Sequence, residues 1–196
     1  MSDHPPRLLA EMRAIADSLV DQLRPFCDRI EIAGSIRRSK PECRDVELVC
    51  VPRLGITRAP GEMFDRSGIN LLDHFVHEQL VAGGVDRLVA WTTRPDVNGR
   101  AAVGVRYKRL AVGDIPLDLF SVLRPASWGV LFLIRTGPAE FSQRMVTQRT
   151  KGGALPDDCQ VRDGAVWRGS KRVAVQDEAA FFALCGMGFV EPEARR

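Results

Sequence analysis

Three acidic residues and one short basic turn carry the chemistry open to this sequence. Asp45 and Glu47 lie two residues apart in an apolar run at 45–51 that reads as a β-strand. Side chains alternate faces along a strand, so both carboxylates project from one side, roughly 7 Å apart along the chain. Like charges that close repel unless a counter-charge sits between them, and one or two divalent cations are the usual remedy. Upstream, Gly34-Ser35 ends an earlier apolar run and opens a basic turn with Arg37, Arg38 and Lys40. Turn N–H groups, the Ser35 hydroxyl and two guanidinium forks together suit a polyphosphate held beside those cations. A third acid, Asp118, stands alone in the apolar run Pro116-Leu117-Asp118-Leu119-Phe120. A lone acid in such a strand is costly to bury unpaired. It either faces solvent on a half-exposed sheet or joins Asp45 and Glu47, giving three carboxylates around two metal ions.

The elements that must position these groups follow from periodicity. Leu8, Met12, Ile15, Leu19 and Leu23 form one helical stripe over 7–24 behind Pro5-Pro6, which predicts an amphipathic helix packed on a sheet. Pro25 ends it, and strands follow at 30–33 and 45–51. The turn formers in Arg53-Leu54-Gly55-Ile56-Thr57 and beyond predict a surface loop. A helix over 70–82 with Leu71, Leu72, Phe75, Val76 and Leu80 inward stops at Gly83-Gly84. Its His74, His77 and Glu78 have metal-ligand spacing but no third-segment partner, so they read as solvated helix residues.

A short strand at 88–92 and a turn at 96–99 precede a hairpin of 102–110 with 115–122. Pro116 lacks a ladder donor and predicts an edge position or an irregular strand start. Beyond Pro125 come helices at 128–134 and 139–148, short β segments at 161–168 and 172–175, and a helix from Glu178 to Leu184 capped by Asp177. A subdomain boundary is placed near residue 124.

With 196 residues, 45% hydrophobic and 27% charged, the chain is an ordinary globular protein with room for one core and a small appendage. The net charge of +3 merely permits an anionic partner. Basic residues cluster locally, however, as Arg87, Arg94, Arg100, Arg106, Lys108 and Arg109 against Asp96, and again over 144–172. These clusters suit a phosphate backbone, or are solvated faces of an arginine-rich protein. Five cysteines, at 27, 43, 50, 159 and 185, form no Cys-x-x-Cys pair, and no apolar run reaches membrane-spanning length. They read as reduced thiols in a cytoplasmic protein without a zinc site or a membrane partner.

Gly34-Ser35-x-Arg37-Arg38-x-Lys40, then Asp45-x-Glu47 ten residues after the serine and Asp118 much later, resembles the nucleotidyltransferase fold of DNA polymerase beta and its family X relatives. The segment 127–145, S-W-G-V-L-F-L-I-R-T-G-P-A-E-F-S-Q-R-M, is similar to that family's thumb motif, and the tail F-V-E-P-E-A-R-R to its terminal P-P-E-x-R. The resemblance covers about residues 29–52 and 102–196. It implies an α+β fold: a nucleotidyltransferase palm at 1–124, a mixed sheet with helices on one side, followed by a small α/β thumb-like subdomain at 125–196.

The same resemblance implies that Asp45, Glu47 and Asp118 bind two Mg²⁺ or Mn²⁺ ions. Ser35 and Arg38 would hold the triphosphate, Thr136 and Gly137 would contact the nucleotide sugar, and Ser142 the minor-groove edge of the base; Gly34, Arg37 and Arg135 complete the expected nucleotide-binding set. The implied reaction adds a nucleoside monophosphate from a dNTP or NTP to a primer 3′-hydroxyl on primer-template or gapped DNA, with a role in repair, by a monomer.

Three departures stand out. Glu47 replaces the usual second Asp, Ile134-Arg135 replaces the aromatic pair before Thr-Gly, and only 28 residues precede the Gly-Ser strand. The resemblance therefore implies no deoxyribose-phosphate lyase activity here. Two alternatives stay open: a template-independent transferase acting on RNA, protein or a small molecule, and a non-catalytic nucleotide- or nucleic-acid-binding protein.

Overall fold

The computed structural model describes residues 4–57, 66–81, 90–95, 98–123 and 125–196. The Gly83-Gly84 helix stop, Arg87, the start of the strand at 88–92, and Asp96 with Val97 lie outside the described residues.

A five-stranded sheet organises the amino-terminal part. Its strands are β2 (Cys27–Ile32), β4 (Val46–Pro52), β9 (Ile115–Ser121), β8 (Tyr107–Val112) and β7 (Trp91–Thr93), side by side in that order. Only the β4–β9 pair is parallel. The period-2 pattern sorts the two faces. Val46, Leu48 and Cys50 of β4 and Leu117 and Leu119 of β9 are wholly buried on one face. There they meet Met12, Ala16, Leu19 and Leu23 of α1 (Leu9–Leu23), and Leu72 and Val76 of α3 (Leu71–Val81). Lys108 of β8 lies on this face as well, its ammonium 2.5 Å from Asp73 of α3. The opposite face carries Glu47, Val49 and Val51, then Asp118, Phe120 and Val122.

The apolar half of that opposite face is covered by Trp128 and Phe132 of α4 (Trp128–Thr136). Helix α4 also turns Val130 and Leu133 toward a second core. This core is built with Phe141 and Met145 of α5 (Ala139–Val146), Val166 of β11, and Phe181 and Phe182 of α6 (Glu178–Leu184). The Asp177 side chain caps α6 by accepting from Ala180 N at 2.7 Å, one of the donors a helix start leaves open. Strands β10 (Cys159–Arg162), β11 (Ala165–Arg168) and β12 (Lys171–Val173) form a meander over this core.

Several sequence expectations need correction. Leu54–Thr57 is not loop but β5, paired with β6 (Arg66–Asn70). Gly34–Arg37 winds into one helical turn, α2, rather than a bend, and the short β3 (Glu42–Cys43) after it pairs with β1 (Arg7–Leu8) ahead of α1. Of the two positions expected for Pro116, an edge or a strand start, it takes the second, at the beginning of the central strand β9. The ladder tolerates it because β4 pairs with β9 only from Leu117 onward, so the missing N–H falls before that pairing begins.

Candidate active site

Glu47 and Asp118 are direct Cα partners across the parallel β4–β9 pair. Asp45 stands two residues before Glu47, at the entry to β4, so the three carboxylates share one face at one end of the α4-covered groove. Asp45 and Asp118 both act on Glu47, and Asp118 acts on Asp45. Burial first, then Asp45 and Asp118, push the Glu47 carboxyl up to about 8, and burial followed by Asp118 raises that of Asp45. This is the signature of like charges crowded with too little counter-charge.

Four arginines partly answer it. Arg94 approaches Asp118 at 3.7 Å, Arg109 is the Cα partner of Asp118 on β8, and Arg135 with Arg38 acts on Glu47 against the acids. Tyr107 also stands close enough to Asp118 to feel its charge. Burial and that carboxylate push its own phenol up to about 12.

Gly34 sits against Glu47. Its φ of +61° is the left-handed region that favours glycine, and a Cβ there would overlap the Glu47 carboxylate. Ser35 follows with its hydroxyl buried and lacking a hydrogen-bond partner, and Asp118 Oδ1 is buried in the same condition. Among the described residues no three His, Cys, Asp or Glu side chains are already gathered into a metal cage. The donor set nevertheless fits divalent cations. Three crowded carboxylates, one with an orphaned buried oxygen and one driven toward its neutral form, lack what hard cations supply.

The remaining expected nucleotide contacts are distributed differently. Arg37 does not face the acids. It donates to Thr136 Oγ1 at 2.5 Å, pairs with Glu178 at 2.6 Å, and stacks on Phe132 at 3.9 Å. Arg38 donates to the Thr136 carbonyl, and a Cβ at Gly137 would crowd its guanidinium. Thr136 is fully buried. Ser142 points inward, its hydroxyl donating to Ile134 O at 3.0 Å, and so presents nothing to a base edge. Arg135 lies over the Phe120 ring at 3.9 Å. His74 and His77 are exposed, with His74 beside Glu78 at 3.4 Å.

Nothing local in the sequence marks Arg94, Arg109 and Tyr107 as site residues, and the two arginines stand out only as members of a basic cluster. The signal that finds them is register: Arg109 lies nine residues before Asp118 across a hairpin whose turn, Gly113-Asp114, sets their pairing.

No family model matches the sequence, and no curated protein matches it. Among solved structures, the chain is similar to Leishmania infantum polymerase beta in a ternary P/T complex, with a TM-score of 0.62. The match covers 98% of this chain and 77% of that one at 17% identity. The chain has a polymerase beta-like fold. An identity that low speaks for the fold alone, so the chemistry has to be argued from the site. Among the described residues no helix is long and apolar enough to cross a membrane.

Proposed function

We propose that this polymerase beta-like chain is a nucleotidyltransferase that moves a nucleoside monophosphate from a nucleoside triphosphate to a 3′-hydroxyl of DNA, with release of pyrophosphate. The observation that supports it most is the apposition of Glu47 and Asp118 on parallel strands, with Asp45 on the same face and Gly34 packed against Glu47. In this reading Asp45, Glu47 and Asp118 hold two Mg²⁺ or Mn²⁺ ions. Bound there, such ions lower the pKa of the attacking hydroxyl and neutralise the triphosphate oxygens.

The chain's own groups do the positioning. Asp118, steered by Tyr107 and Arg109, orients the 3′-hydroxyl. The open N–H groups at the start of α2 and the unpartnered Ser35 hydroxyl receive phosphate oxygens. Arg38 is near enough to Glu47 to reach the same phosphate once it releases the Thr136 carbonyl. Arg37 is a tether between α2 and α6 in this assignment, not a phosphate ligand. Residues 1–124 then act as palm and 125–196 as thumb, with α4 serving both.

Replacing Asp118 with Ala is expected to leave triphosphate binding in place and lower incorporation by several powers of ten, about the loss seen when a group acting only in the transition state is removed. Labelled dNTP and NTP incorporation onto single-stranded, nicked and gapped primers measures it, and unchanged turnover would refute the assignment. A second reading, transfer without a template, is favoured by one observation. Ser142 is turned inward and Arg135 replaces an aromatic, so neither gives the base pair or the sugar an evident wall. Primer extension with and without a template strand separates the two.

A further inference from the structure

Next to the acids, but including none of them, a cleft of about 330 Å³ opens between β8, β9, α4 and the carboxy-terminal meander. Tyr107 and Phe120 supply aromatic wall; Ser127, Arg135 and Arg172 supply polar groups, with Arg106 and Asp163 alongside. Arg106 and Asp163 answer one another at 3.4 Å, which leaves Arg135 and Arg172 as the guanidinium groups of the lining without a direct ion pair among the described residues.

Both guanidinium groups are held in fixed planes. Arg135 stacks on Phe120 at 3.9 Å and Arg172 on Trp167 at 4.6 Å. The Nε of each is buried without a hydrogen-bond partner, and neither side chain has an ion-pair partner among the described residues. The Ser127 hydroxyl is buried and unpartnered too. Buried donors with nothing to donate to are costly, and native proteins keep few of them without reason. Guanidinium forks suit the oxygens of a phosphate. The volume is at the lower end of small-ligand pockets, in the range of a mononucleotide.

We propose that this cleft is a second anion site, separate from the three acids, that takes the phosphate of a nucleotide. The nucleotide is either a free monophosphate or the phosphorylated end of a strand. The inference does not depend on transfer chemistry at the acids.

The test uses the full chain in EDTA, titrated with AMP by calorimetry, with adenosine as the control that lacks the anion. AMP is expected to bind one to one and adenosine not to bind. Arg172→Ala and Arg172→Gln, each checked by thermal melting, should weaken AMP by at least about tenfold, the value of one charge-assisted contact, and Arg172→Lys by less. A trinucleotide with and without a 5′-phosphate forms the second arm. Preference for the phosphorylated strand over AMP identifies a strand end as the ligand, and the reverse identifies a free nucleotide. Asp118→Ala should keep AMP affinity unchanged, so a failure of the proposed transfer reaction would leave this site standing. AMP binding indifferent to both Arg172 variants, binding lost in Asp118→Ala, or no binding of AMP or the phosphorylated trinucleotide at about millimolar concentration would each overturn the proposal.

Discussion

At residue scale the site turns on how Glu47 is held. Its carboxyl is pushed up to about 8, so between the ordinary value near 4.5 and 8 the folded protein keeps a proton that the unfolded chain releases. Stability of the metal-free protein should therefore fall as pH rises through that window, and Glu47→Gln should flatten the fall. Melting in EDTA at a series of pH values measures both. Added Mg²⁺ should raise the melting temperature more above pH 8 than at pH 6, because a deprotonated carboxylate is the ligand. Gly34 is the companion case. Gly34→Ala meets both an unfavourable φ and the Glu47 carboxylate, and is expected to cost about 1–3 kcal/mol in denaturant unfolding while displacing the acid that defines the site. Retained stability with lost incorporation would show that the backbone adjusts and only the carboxylate moves.

At element scale, α2, α4 and α6 are joined by charge. Glu178 accepts from Arg37 and from Arg195, each at 2.6 Å, and the Glu178 and Arg195 side chains are almost wholly buried. Burial alone would raise the Glu178 carboxyl, but hydrogen bonds from the two arginines outweigh it and hold the group below the usual range. Glu178→Ala leaves two arginines without their shared acid and should cost about 3–5 kcal/mol in denaturant unfolding, more than either arginine replaced alone. The wild-type contribution is present above the ordinary carboxylate pKa and is lost as pH falls through the lowered one.

How much could be read in advance divides along the same line. Period-2 alternation put Asp45 and Glu47 on one face, and 3.6 periodicity found α1 and α3, because both signals are local. The partners of Arg37 lie 99 and 141 residues away, and no local pattern announces them. Strand β5 was missed because Gly55 and its neighbours carry turn chemistry, and only pairing with β6 overrides it. The inward turn of Ser142 is likewise hidden from the sequence, because a motif fixes a position in the chain, not a rotamer.

At the scale of the whole molecule, two cores share α4, one under the sheet's acid-bearing face and one inside the carboxy-terminal part. Basic side chains mark both parts, among them Arg94 and Arg109 on the sheet and Arg144, Arg149 and Lys151 near α5. If these meet a phosphate backbone, log affinity for DNA should fall linearly with log salt, with a slope that counts the phosphates neutralised. Fluorescence anisotropy of a labelled gapped duplex across a salt series gives that slope, and a flat response would assign the clusters to solvation.

The strict alternation of β4 and β9 has one more result. Two acids of the site have as chain neighbours residues that are wholly buried on the other face, Val46 and Leu48 beside Glu47, Leu117 and Leu119 beside Asp118. A slip of one position in either strand would drive a carboxylate into hydrocarbon and turn a leucine out to water. Register of the strands and placement of the carboxylates are thus one and the same requirement.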